Sequence, residues 1–155
     1  MADVVLDANV LVGYLDANDS QHARATELIE RPEAEGHESV LLDGLVAEAI
    51  SVLCRRARER KARPPDLATV LSLARRWHEN GEIEPALSDV SNMFVDVLDV
   101  IDASAGRLNF NDALLVVLQR GAVIDDVASF DVAFDAVDGF RRIGEYLAVA
   151  DRLAL

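Results

Sequence analysis

Apolar positions fall into two rhythms along the chain. Short segments bounded by polar or turn residues, VVL (4–6), SVLL (39–42), EIEP (82–85), AVI (122–124) and FRRI (140–143), predict strands. Between them apolar residues recur at helical spacing. Residues 20–29 predict a helix with Ser20 as N-cap and Ala23, Leu28 and Ile29 on its apolar side. Residues 44–60 predict a longer one, ended before Pro64-Pro65, and Asp66 caps the next as far as about His78. Asn80-Gly81 reads as a turn. Residues 88–102 place Val90, Met93, Phe94, Val97, Leu98 and Ile101 at helical spacing. Asn109 or Asn111 caps a helix through Arg120 that Gly121 ends. Residues 144–155 predict one more helix. Short strands alternating with helices indicate an α/β domain around a mainly parallel sheet.

The chain has 155 residues, enough for one domain with a proper core. No apolar run is long enough to span a bilayer, and no basic segment followed by an apolar one marks a signal peptide. Cys54 is the only cysteine, which excludes an internal disulfide and argues against a thiolate zinc site. The expected location is the cytoplasm.

Charge changes the picture. The formal net charge of -13 argues against wrapping nucleic acid over a broad surface, because phosphate contacts depend on Lys and Arg. It leaves room for a nuclease whose phosphate is met by a cation in a small cleft. The one basic cluster is RRARERKAR (55–63), with Arg55, Arg56, Arg58, Arg60, Lys61 and Arg63. Either these residues suit the negative pole of a helix end or they contact nucleic acid or an acidic partner.

Four acids stand where a site could form. Asp7 ends the first strand, the position at which open parallel sheets bind ligands, though Asp7 or Asn9 could equally cap the following helix. Glu48 is the only charge between Asp43 and Arg55, about 40° from Val52 on the border of the apolar face. Asp112 lies in the first turn of its helix, before six apolar residues. Asp131 lies in a Ser-Phe-Asp turn of an acidic loop. Each has an ordinary explanation alone. Together, carboxylates without basic partners would repel one another unless a hard divalent cation joined them. Oxygen-only ligands suit Mg²⁺ or Mn²⁺, which can activate water, polarise a phosphodiester and steady the leaving oxygen. His22, His37 and His78 lack an Asp or Ser partner in sequence and read as surface residues; Trp77 reads as helix packing.

At these residues the chain resembles the PIN-domain ribonucleases, and within them the VapC-like toxins of bacterial toxin–antitoxin pairs. The matching pieces are VVLDANVLVGYLD (4–16), LVAEAISVL (45–53), NFNDALLVVL (109–118) and VASFDVAFDAVDGFRRI (127–143), in the family's order. The resemblance implies a three-layer α/β/α sandwich over residues 1–143, with 144–155 as a helical tail. It implies a Mg²⁺ or Mn²⁺ site at Asp7, Glu48, Asp112 and Asp131, with Asn9 and Ser129 in support. It implies cleavage of single-stranded RNA by metal-activated water, a cognate antitoxin and a homodimer. The antitoxin contact would include the stretch from Arg55 to Arg63. One departure is that no Pro precedes the Glu48 motif, where many members carry one.

Two other classes compete. A haloacid-dehalogenase-type phosphatase also opens on a strand ending in Asp. It wants a second Asp two residues on, where this chain has Asn9, and a downstream Lys, for which Lys61 is the only candidate. The other rival is a PIN-like fold kept as a non-catalytic binding or scaffolding module.

Overall fold

The computed structural model describes residues 3–145. The predicted tail helix therefore lies outside the described residues, apart from Gly144 and Glu145. Five parallel strands form the sheet: β1 (Val4–Leu6), β2 (Ser39–Leu42), β3 (Ile83–Glu84), β4 (Asp126–Ala128) and β5 (Arg142–Ile143). Their order is β3-β2-β1-β4-β5. Six α-helices flank it: α1 (Ala8–Leu15), α2 (His22–Ala34), α3 (Asp43–Glu59), α4 (Leu67–Glu79), α5 (Val90–Ala103) and α6 (Phe110–Arg120). The chain moves outward from β1 through β2 to β3, then returns to the other side of β1 for β4 and β5. The order reverses between β1 and β4, which makes a crevice at the carboxyl ends of these two strands.

The central strand is apolar because both its faces are covered. Val4, Val5 and Leu6 are all buried. Leu11 of α1, Leu53 of α3, Val97 of α5, Leu115 of α6 and Phe134 join them in one core. Phe134 stacks on Phe140 with ring centroids 4.5 Å apart.

Most caps follow the sequence. Asp66 Oδ1 accepts from Thr69 N at 3.1 Å at the start of α4. Asn109, not Asn111, caps α6, in a reciprocal box with Asp112. At α2 the expected Ser20 cap is replaced: the N-cap residue is Gln21, and Asp19 Oδ1 accepts from its backbone N at 2.7 Å. That helix also runs on to Ala34, through Pro32.

The strand expected at 122–124 is a correction. β4 is Asp126–Ala128, in register with β1 from Val4 to Leu6. Residues 122–124 instead carry the turn out of α6, with Ala122 at φ 54 and Val123 exposed. The apolar run was a poor guide because only Ile124 of the three is buried. The strands expected at 82–85 and 140–143 are shorter, two residues each.

Candidate active site

Asp7 follows β1 directly, and its backbone N donates to Ala128 O of β4 at 3.0 Å. Its side chain is 3% exposed. Asp7 is the N-cap of α1 as well as the acid that ends β1. Oδ1 accepts from Ala8 N at 2.7 Å. Oδ2 accepts from Ser129 Oγ at 2.5 Å and from Asn9 Nδ2 at 3.2 Å.

Asn9 and Ser129 tie the two strand ends together. Asn9 Nδ2 also donates to Ser129 Oγ at 3.1 Å, and Asn9 Oδ1 accepts from Phe130 N at 3.1 Å. Ser129 Oγ accepts from Asp131 N at 3.0 Å. The fully buried Ser129 thus fixes the orientation of Asp7 and the start of the turn that carries Asp131. Asp131 caps the short 3-10 helix Val132–Ala136, accepting from Ala133 N at 2.8 Å.

Asp112 arrives from α6. It is buried, and its Oδ2 accepts from Asn109 N at 2.9 Å. Glu48 arrives from α3 and is half-buried. Its Oε2 accepts from Asn111 Nδ2 at 2.6 Å, which links α3 to the first turn of α6. Asn111 is a contributor that the sequence offered only as a possible cap.

The four acids are linked by the charges they feel. Burial pushes the Asp7 carboxyl up from 3.8 to about 6, and the charges of Asp112 and Glu48 push the same way against its hydrogen bonds. Asp112 is raised for the same reasons in the same order: burial first, then the charges of Asp131 and Glu48, against the bond from Asn109. Among the described residues no Lys or Arg forms a salt bridge with any of the four. Arg142 is raised above its ordinary value chiefly by its bond to Asp135, with a smaller contribution from the charge of Asp131, and it is held by Asp135 and by Ser129 O.

The donor chemistry suits a hard divalent ion. Among the described residues Asp112 Oδ1, Glu48 Oε1 and Asp131 Oδ2 accept no hydrogen bond, so each of these acids is braced through its other oxygen. Among the described residues no three His, Cys, Asp or Glu side chains close on one point as a ready-made cage.

The basic cluster divides. Arg56 Nη1 lies 2.9 Å from Asp16 Oδ2 and 2.6 Å from Asp19 Oδ2, and Arg60 Nη1 lies 3.1 Å from Asp16 Oδ2. These two arginines bind the end of α3 to the end of α1. Arg55, Arg58, Lys61 and Arg63 are exposed. Arg55 follows Glu48 by seven residues, on the same stripe of α3 and about 10 Å along its axis. Of the histidines, His78 is exposed, but His22 and His37 are half-buried, and His22 Nδ1 pairs with Gly13 O at 2.9 Å. Trp77 packs against the core as expected.

The family model for the PIN domain matches residues 4–140, nearly the whole described chain. The chain belongs to the PIN-domain family. Members of this family are typically nucleases. Two solved PIN-type structures share its fold at low identity. VapC20 of Mycobacterium tuberculosis, a Sarcin-Ricin loop cleaving toxin, is 19% identical with a TM-score of 0.64, covering 88% of this chain and 95% of that one. FitAcB from Neisseria gonorrhoeae is 16% identical with a TM-score of 0.57, covering 91% of this chain and 96% of that one. No curated protein matches the chain. Among the described residues no helix of this PIN domain is long and apolar enough to cross a membrane.

Proposed function

We propose that this PIN domain is a Mg²⁺- or Mn²⁺-dependent endoribonuclease, the toxin of a toxin–antitoxin pair, cutting single-stranded RNA. One observation carries the reading. The buried Asp7, at the end of β1 where the strand order reverses, feels the charges of Asp112 and Glu48, the buried Asp112 feels those of Asp131 and Glu48, and among the described residues no salt bridge neutralises any of the four. Uncompensated charge of this kind is retained where a bound cation uses it.

Asp7, Glu48, Asp112 and Asp131 would hold the ion, through Glu48 Oε1, Asp112 Oδ1 and Asp131 Oδ2 and through Asp7 between them. When bound, such an ion supplies Lewis acidity to the phosphodiester and lowers the pKa of water at the site. The protein's own part is preorganisation. Asn9 and Ser129 are positioning residues that fix the Asp7 carboxylate and the Asp131 turn. Asn111 sets the rotamer of Glu48, and the Asn109 backbone sets Asp112. Arg55 and Arg58, with Lys61 and Arg63 in the loop beyond, supply positive charge for the RNA backbone or an antitoxin. Exposed apolar side chains on and before α5, Leu87, Phe94, Val95 and Leu98, support the homodimer.

The test is incubation of the chain and Asp7→Asn with a mixed RNA pool in Mg²⁺, Mn²⁺ or EDTA. Metal-dependent cutting that the variant loses supports the reading. Equal cutting by the variant removes Asp7 from the site. Metal binding without cutting, on antitoxin-free protein, points instead to the non-catalytic module.

A further inference from the structure

A cavity outside the acidic site lies across β2, between α2 and the end of α4, with a volume of about 540 Å³. It shares no lining residue with the four acids. Its walls carry three half-buried rings, Tyr14, His37 and Trp77, and four glutamates, among them Glu33 and Glu82. Among the described residues no Lys or Arg lines it, and none of its glutamates is in a salt bridge.

We infer that this cavity receives the guanidinium of an arginine side chain on a partner polypeptide. Three observations converge on that ligand. Aromatic faces and carboxylates together fit a delocalised planar cation, which stacks on a ring while its edge donates to oxygen. His37 Nδ1, in the same wall, is buried with no hydrogen-bond partner, an unfilled polar position beside the cavity. The negative field is felt within the walls: burial raises the Tyr14 hydroxyl above its ordinary value, and Glu30 and Glu33 raise it further.

The polypeptide source follows from the cavity's place. It runs beside β3, one of the two edge strands of the sheet, whose outer side has no strand neighbour among the described residues. An extended segment can pair along such an edge while one side chain enters an adjoining pocket. The surrounding charge favours a basic segment, since the chain carries a net charge of -13.

Trp77 is the only tryptophan, so its emission reports the cavity directly, independently of any nuclease activity. The experiment titrates the full chain with an octapeptide carrying one central arginine, the same peptide with citrulline, and spermidine. The expected result is a saturable change in Trp77 emission with the arginine peptide. The citrulline peptide should bind at least about tenfold more weakly, the scale of one charge-assisted hydrogen bond. The pair Glu33→Gln with Glu82→Gln, on the surface and checked by circular dichroism, should weaken the arginine peptide by a similar factor. Equal binding of the citrulline peptide, no saturable change with any probe, or indifference to the two glutamine replacements would each overturn the assignment. Spermidine binding as tightly as the peptide would overturn the polypeptide source.

Discussion

Helix α1 begins and ends on a buried aspartate, and the two are treated in opposite ways. Asp7 at its start is 3% exposed and receives only neutral donors. Asp16 at its end is 0% exposed and is gripped by Arg56 and Arg60. The helix dipole favours an anion at the start and opposes one at the end. Asp16 therefore needs cations to be tolerable, and α3 delivers them. Asp7 has the favourable pole, yet burial and two neighbouring acids still hold its carboxyl up to about 6. Asp19, the neighbour of Asp16 in the clamp, is the reverse case: burial works against its charge, but bonds from Gln21 and Arg56 outweigh this and hold it below the ordinary value. A compensated buried acid fastens elements together. An uncompensated one, beside others of its kind, is a site waiting for charge.

The sharpest break of this comparison is in activity. Asp7→Asn should lower RNA cleavage by roughly 10²–10³-fold or more, the scale for losing one charge-stabilising group. Asp16→Asn should leave the rate per folded molecule within a few-fold of wild type. A gel-based cleavage assay normalised to folded protein separates the two, and equal losses would dissolve the distinction.

In stability the order reverses. Asp16→Ala leaves two arginines without their buried partner and should cost about 2–4 kcal/mol, less than a fully buried pair because Arg56 and Arg60 are 24% and 36% exposed. Thermal unfolding should show it as a drop of several degrees.

The pH dependence of the metal-free protein sharpens the same contrast. The unfolded chain releases the Asp7 proton near 3.8, whereas the folded chain keeps it to about 6. Asp7 thus contributes stability that is fully present below the lower value and lost as pH rises through the upper one. A displacement of this size is worth about 3 kcal/mol by neutral pH. Metal-free Asp7→Asn should be more stable than wild type at pH 7 and equal to it near pH 4, as read by denaturant titration. Saturating Mg²⁺ or Mn²⁺ should narrow the gap at pH 7. A gap that does not change with pH would remove the electrostatic account.

The smallest effects lie along the basic cluster. Arg58→Ala should change stability by no more than about 0.5 kcal/mol while weakening RNA binding and flattening its salt dependence. Arg56→Ala should destabilise the fold measurably, because it opens the Asp16 and Asp19 clamp. Filter binding at two salt concentrations, beside thermal melts, tells the two roles apart.

Three of the proposed site acids stood out in the sequence because each broke a local pattern. Asp7 interrupted an apolar run, Glu48 stood alone on a helix border, and Asp112 began a helix apolar almost throughout. The caps Asp66 and Asn109 were legible for a similar reason, since capping is a contact within three residues. The β4 position was not. An apolar run marks burial, but which residues pair with β1 depends on where the turn after α6 releases the chain. Nor was the splitting of the basic cluster legible, because Arg56 and Arg60 meet Asp16 across 40 and 44 residues.

By itself, then, the sequence determined what depends on neighbours along the chain: the α/β alternation and the caps at Asp66 and Asn109. Only the tertiary structure decided what depends on residues far apart. It braced Asp7 with Ser129 across 122 residues and Glu48 with Asn111 across 63. It turned two of the six basic residues into struts of the fold. The physical reason is that burial and Coulomb interaction act through space, and the order of strands in the sheet, not the spacing of residues, sets which charges share a crevice.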